Sequence, residues 1–247
     1  MIQLENLYKS FGDQVVLNGI NLEIKKGETL AVLGRSGTGK SVLLKLIIGL
    51  IKPDSGSIQI DEKEITKSDT KGLNEIRKNM GFLFQKGALY DSLTVEENVA
   101  FPLLRHTKKN PREIQERVEE LLYLTGMIDS AKKMPSEISG GMQKRVGLAR
   151  ALALDPEIIL LDEPTTGLDP ITSVEILDLL LRLQEEHEAT SVVVTHDIRT
   201  VRSLSTVAVV LENGNIVAEG SFLDLQQSRS KFVQEFLRQA FAGDVYV

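Results

Sequence analysis

The chain has 247 residues, with 35 acidic against 29 basic side chains and a formal net charge of -6. That balance argues against a nucleic-acid partner, and the length allows a large core with room for an inserted subdomain. The absence of cysteine excludes disulfides, cysteine-ligated zinc and cysteine nucleophiles, and fits a reducing compartment. The opening residues Met1-Ile2-Gln3-Leu4-Glu5-Asn6 read as neither a basic nor an apolar targeting region. No apolar run approaches the ~20 residues that span a bilayer, so a membrane role is expected to come through a partner.

In chain order, short strands are predicted over Ile2 to Tyr8, Val15 to Ile24 and Thr29 to Leu33, separated by the turns Phe11-Gly12-Asp13 and Lys25-Lys26-Gly27. The next segment, Gly34-Arg35-Ser36-Gly37-Thr38-Gly39-Lys40-Ser41, fits the phosphate-loop pattern. It lies between a buried strand and the helical run Val42 to Gly49. A strand, a glycine-rich turn and a helix N-terminus gather backbone N–H groups and a favourable dipole around an anion. Lys40 is placed to reach β- and γ-phosphates, and the Ser41 hydroxyl to hold a magnesium ion.

Further strands are predicted over Ser57 to Ile60 and Met80 to Phe84. The middle then turns helical. Apolar residues at Ile114, Val118, Leu121 and Leu122 follow Pro111 at a helical spacing, and Ser139 to Leu154 reads as a second helix. Strand–helix alternation returns with the apolar runs Ile158 to Leu161, Ser191 to Thr195 and Val207 to Leu211. The expectation is an α/β fold: a mostly parallel sheet with helices on both faces, interrupted by a helical insert. Residues 1–85 and 157–220 would form the core, residues 86–156 the helical subdomain and residues 221–247 a peripheral helical tail.

The strand Ile158 to Leu161 runs into Asp162-Glu163. Ligands of parallel sheets bind at the carboxyl ends of strands, so both carboxylates belong on the phosphate-loop edge. Asp162 suits the magnesium ion and Glu163 suits a general base that polarises an attacking water. A solvated acidic turn is the plainer reading, and the pairing with a phosphate loop counts against it. Ser139-Gly140-Gly141 opens a helix, with Ser139 a plausible N-cap. That is a second phosphate-binding helix end or an ordinary capped helix. As a phosphate site it requires a head-to-tail dimer, since the helical insert separates it from the first.

Together Gly34 to Ser41, Gln85, Ser139-Gly140-Gly141, Asp162-Glu163, Leu168-Asp169 and His196 stand in the order that resembles ATP-binding cassette ATPases, over about residues 2 to 220. The resemblance implies a P-loop ATPase fold with an N-terminal antiparallel β-subdomain and a helical subdomain. It also implies a dimer that sandwiches two ATP–Mg²⁺ at its interface. Gln85 would touch magnesium or the attacking water, His196 the γ-phosphate, Asp169 the dimer seam, and Phe11 the adenine, with Tyr8 a rival for the stacking role. His106 and His187 match no motif and read as surface residues. The signature commonly reads Leu-Ser-Gly-Gly-Gln. Here Ile138 precedes the serine and Met142 follows the glycines, with Gln143 adjacent.

The runs Phe84-Gln85-Lys86-Gly87-Ala88-Leu89-Tyr90-Asp91-Ser92-Leu93 and Gly140-Gly141-Met142-Gln143-Lys144-Arg145 look like the ATPase of bacterial Mla/Mce-type phospholipid transporters. This implies permease subunits, a periplasmic lipid-binding (MCE-type) subunit, and a peripheral place on the cytoplasmic face of the inner membrane. A cassette for another substrate, or one not engaged in transport, is the alternative. The tail places Phe232, Phe236, Leu237 and Phe241 at helical spacing, which suits docking to another surface or packing on its own domain.

Overall fold

A computed structural model describes residues 2–187 and 189–242, without the side chains of residues 185–187 and 240–242. In chain order the elements are β1 (Ile2–Phe11), β2 (Gln14–Ile24), β3 (Thr29–Leu33), α1 (Lys40–Ile47), β4 (Ser55–Ile60), β5 (Lys63–Glu64), α2 (Thr70–Arg77), β6 (Met80–Leu83), α3 (Val95–His106), α4 (Pro111–Leu124), α5 (Gly140–Ala151), β7 (Ile158–Asp162), α6 (Pro170–His187), β8 (Thr190–Thr195), α7 (Ile198–Leu204), β9 (Val207–Glu212), β10 (Asn215–Gly220), α8 (Phe222–Gln226) and α9 (Lys231–Ala242). They group into two compact units, residues 1–76 with 188–247, and residues 77–187.

The first unit holds two sheets. β1 and β2 pair antiparallel from Ile2↔Ile24 to Phe11↔Gln14, and β4 pairs antiparallel on the other side of β1. The order is β2-β1-β4-β5. Alternate burial along β1 shows one face covered and one wet, as expected of an antiparallel sheet. In the other sheet β3 lies between β8 and β9, parallel to both, and β10 adds antiparallel to β9. Every residue of β3 and β8 is buried. That is why their sequences, TLAVL and TSVVVT, are apolar runs rather than alternations.

The tail belongs to this unit. Val233, Phe236 and Leu237 of α9 are buried against Leu33 of β3, Val201 of α7 and Val210 of β9. Packing on its own domain is therefore what the amphipathic spacing serves. The Phe241 side chain and residues 243–247 lie outside the described residues.

The second unit pairs β6 and β7 in parallel, Met80↔Ile158 through Leu83↔Leu161. It surrounds them with helices whose ends are fixed locally. Thr94 and Glu97 form a capping box on α3, and Asn110 with Glu113 does the same on α4, where Pro111 occupies the first turn. Asn98, fully buried in α3, accepts from the Tyr90 N–H and donates to the Tyr90, Leu93 and Thr94 carbonyls. One side chain thus pins the loop that follows Gln85. His106 is exposed, as expected, and the His187 side chain lies outside the described residues. Among the described residues no helix is long and apolar enough to cross a membrane.

Candidate functional site

The phosphate loop leaves the carboxyl end of β3, where Leu33 is in register with Thr195 of β8. Gly34 and His196 therefore follow directly from neighbouring strand ends of one unit. Gly39 occupies the N-cap of α1 at φ 98°, and the helix has no side-chain cap and no acidic residue in its first turn. A Cβ on Gly39 would lie 2.8 Å from Val16 Cγ1 and 2.9 Å from the Val16 carbonyl. Only glycine meets both the left-handed angle and this approach to β2. Its helix end offers N–H donors and a positive dipole, with no acidic residue in the helix's own first turn. The Lys40 ammonium, 6% exposed, donates to the Gly34 carbonyl at 2.9 Å and the Arg35 carbonyl at 3.0 Å. Thr38 Oγ1 also donates to the Arg35 carbonyl. The lysine is thus folded back along the loop's own backbone, a positive charge held at the cradle.

Arg35 itself is exposed, and its guanidinium stands 5.4 Å over the Phe232 ring of α9. His196 is exposed one residue past β8. At the β1–β2 turn Phe11 is 51% exposed, with Lys9 Nζ 5.3 Å from its centroid. Tyr8, the rival for stacking, rests its hydroxyl over Gly19 on β2, where a Cβ would come within 2.8 Å of it.

In the second unit the register Leu83↔Leu161 sets Gln85 and Asp162 just beyond adjacent strand ends. Gln85 is exposed. Asp162 and Glu163 are 5% and 7% exposed, so two carboxylates are buried side by side. Glu163 adopts φ 52°, a left-handed conformation unusual for a residue with a side chain. Its Oε2 accepts from Thr166 Oγ1 at 2.7 Å.

Ser139 caps α5, its Oγ accepting from the Met142 N–H at 3.3 Å. Gly141 faces Thr172 so closely that a Cβ would lie 2.7 Å from Thr172 Cγ2. The Gln143 amide donates backward to the Pro135 and Ile138 carbonyls. It is committed to the approach of the helix and does not stand in for the glutamine absent at position 142. Asp169 accepts from the Thr172 hydroxyl and N–H at the start of α6. These two bonds, the hydroxyl's first, hold its carboxyl below the usual range.

One participant escapes motif reading. Lys144, 4% exposed, donates to the carbonyls of Glu163 at 2.9 Å, Pro164 at 3.0 Å and Thr166 at 2.6 Å. Burial pushes its ammonium down to about 8, against the opposing pull of the Glu163 and Asp162 carboxylates. The available signal was its spacing: Gly141, Lys144 and Leu148 share the buried face of α5.

Residues 17–166 match the family model described as ABC transporter. The chain belongs to the ABC transporter family. It is an ATP-binding cassette that hydrolyses ATP, with the α/β fold of that family. The Haemophilus influenzae intermembrane phospholipid transport system ATP-binding protein MlaF is 42% identical over 99% of this chain and 93% of its own length. A Mycobacterium leprae protein described as "Probable ribonucleotide transport ATP-binding protein mkl" is 43% identical over 99% of this chain and 70% of its own length. A solved dimeric post-hydrolysis state of the ATP-binding cassette MJ0796, bound to ADP and Pi, aligns with a TM-score of 0.84 at 38% identity. That alignment covers 90% of this cassette and 98% of the solved chain.

Proposed function

We propose that this cassette drives a phospholipid transporter working between inner and outer membranes, as a homodimer bound to permease subunits on the cytoplasmic face of the inner membrane. A periplasmic lipid-binding subunit of MCE type completes the assembly. The observation that carries the cargo assignment is the match to MlaF, which spans 93% of that protein. The mkl match favours a ribonucleotide cargo as the second reading.

In this reading the N–H groups of Gly34 to Ser41 and the Lys40 ammonium bind the β- and γ-phosphates. The hydroxyl of Ser41, the carboxylate of Asp162 and the amide oxygen of Gln85 are hard oxygen donors of the kind magnesium takes. Magnesium, when bound, neutralises charge developing on the transferred phosphoryl group. Glu163 orients the attacking water and takes its proton; its burial next to Asp162 supports that role. His196 donates to the γ-phosphate, and Phe11 stacks on adenine. Ser139, Gly140 and Gly141 of one copy cover the γ-phosphate held by the loop of the other, with Asp169 at the seam. ATP then links two chains, and its hydrolysis removes the link. Closure and opening are populations shifted by the differential affinity of the nucleotide.

Affinity capture of the chain from native membranes, followed by mass spectrometry and lipid analysis, tests the proposal. Recovery of a polytopic permease, an MCE-type subunit and phospholipid is expected. Recovery with a permease but no lipid-binding subunit moves the assignment to another cargo.

A further inference from the structure

We propose that Lys144 is a positioning residue for ATP hydrolysis: through the Glu163, Pro164 and Thr166 carbonyls it ties the backbone of the general base to the helix that starts at Ser139. The inference rests on the assignment of Glu163 as the base and goes beyond it. Glu163 sits just past β7 in a left-handed conformation, which a non-glycine residue keeps only where its surroundings over-determine it. Two local bonds close the turn, Thr166 N–H to the Glu163 carbonyl at 3.3 Å and Thr166 Oγ1 to Glu163 Oε2 at 2.7 Å.

The Lys144 ammonium adds three donors, one to each of three carbonyls within the four residues 163–166. An ammonium has three N–H groups and no acceptor, so this set uses its full capacity. No other side chain of similar length presents three convergent donors on one atom.

The anchor lies on α5. Lys144 and the Ser139 cap share one helix, so a shift of that helix end is transmitted to the carbonyl of Glu163 without an intervening loop. The geometry therefore couples signature and base within one subunit. A misplacement of about 1 Å at a reacting group costs about 10²-fold in rate.

The test uses the full chain and steady-state ATP hydrolysis. Turnover by the unaltered chain is the reference, and unchanged turnover in Glu163→Gln would count against the assignment of the base rather than against Lys144. Lys144→Met is expected to lower kcat about 10²-fold with KM and ATP affinity within threefold, because the phosphate loop is untouched. Lys144→Gln, which retains two donors, is expected to lose about 10-fold by the same reasoning. In a Glu163→Gln background, Lys144→Met should lower the residual rate by less than threefold, since the group it positions is already gone.

A Lys144→Met kcat within threefold of the unaltered chain overturns the inference. So does a loss carried mainly by KM, or one that multiplies in full onto Glu163→Gln. If circular dichroism shows that the methionine variant does not fold, the same readings on Lys144→Gln decide.

Discussion

Glu163→Gln separates chemistry from folding better than any other single change. The amide keeps the length and shape of the carboxylate. It also keeps an oxygen to accept from Thr166 Oγ1, now 2.7 Å from Oε2. The left-handed backbone at φ 52° is unchanged in its demands, and the residue stays buried. The charge that is lost is one that raises the Lys144 pKa. Stability should therefore move by no more than about 1 kcal/mol, the net worth of one hydrogen bond. The rate is another matter. A positioned general base contributes about 10²–10⁴-fold, so the barrier should rise by about 3–5 kcal/mol. Phosphate release in a single turnover should fall by that factor while nucleotide affinity holds. Because ATP is then bound and not consumed, light scattering should show the variant doubling in mass on addition of Mg-ATP. Turnover within threefold of the unaltered chain would remove Glu163 from the role of base. Affinity lost in step with turnover would assign it to binding instead.

Lys40→Ala removes an ammonium that makes charge-assisted bonds. Nucleotide affinity measured by fluorescence titration should weaken by about 10–100-fold, the equivalent of 1.5–3 kcal/mol. A double-mutant cycle on Arg35→Ala and Phe232→Ala, read by thermal or urea unfolding, should return a coupling of about 0.5–1 kcal/mol from the guanidinium 5.4 Å above the ring. Lys144 also predicts a pH dependence. Below about pH 8 folded and unfolded chains both carry its proton, whereas between about 8 and 10.5 the unfolded chain holds a proton that the folded chain has released. Stability should rise with pH across that window, by at most about 3 kcal/mol, and the rise should be missing from Lys144→Met in urea titrations.

Much of the fold was legible because its signals are local. TLAVL and IILLD are short apolar runs that suit a strand buried on both faces, and both are fully buried. Pro111 and the helical spacing after it marked α4, and Asn110 with Glu113 closes its cap. The phosphate loop was legible for the same reason, since its glycines answer to backbone angles within the loop. What escaped lacks a strong pattern. α2 buries only Ile76. α3 carries a proline at 102 and buries a polar Asn98 on its inner face, so its periodicity is broken where the structure uses it most. β5 is two residues long and exists only because β4 offers an edge.

The candidate site divides along the same line. Asp162, Glu163 and Ser139 could be singled out because a strand end and a helix start announce them within a few residues. Lys144 and the Arg35–Phe232 contact could not, because each is a charge whose partner is set by the tertiary fold. A lysine in a helix reads as solvated until three carbonyls from residues 163–166 are placed around it. An arginine in a phosphate loop says nothing by itself of a ring from α9 lying 5.4 Å from its guanidinium. The tail shows the reverse. Its amphipathic stripe announced that something would cover it, and only the packing of Val233, Phe236 and Leu237 beside Leu33 showed that the cover is the domain bearing the phosphate loop. Because Leu33 ends the strand from which that loop springs, α9 and the loop rest on one core. A change that loosens the tail should then be felt at Arg35, whose guanidinium lies over Phe232 of α9.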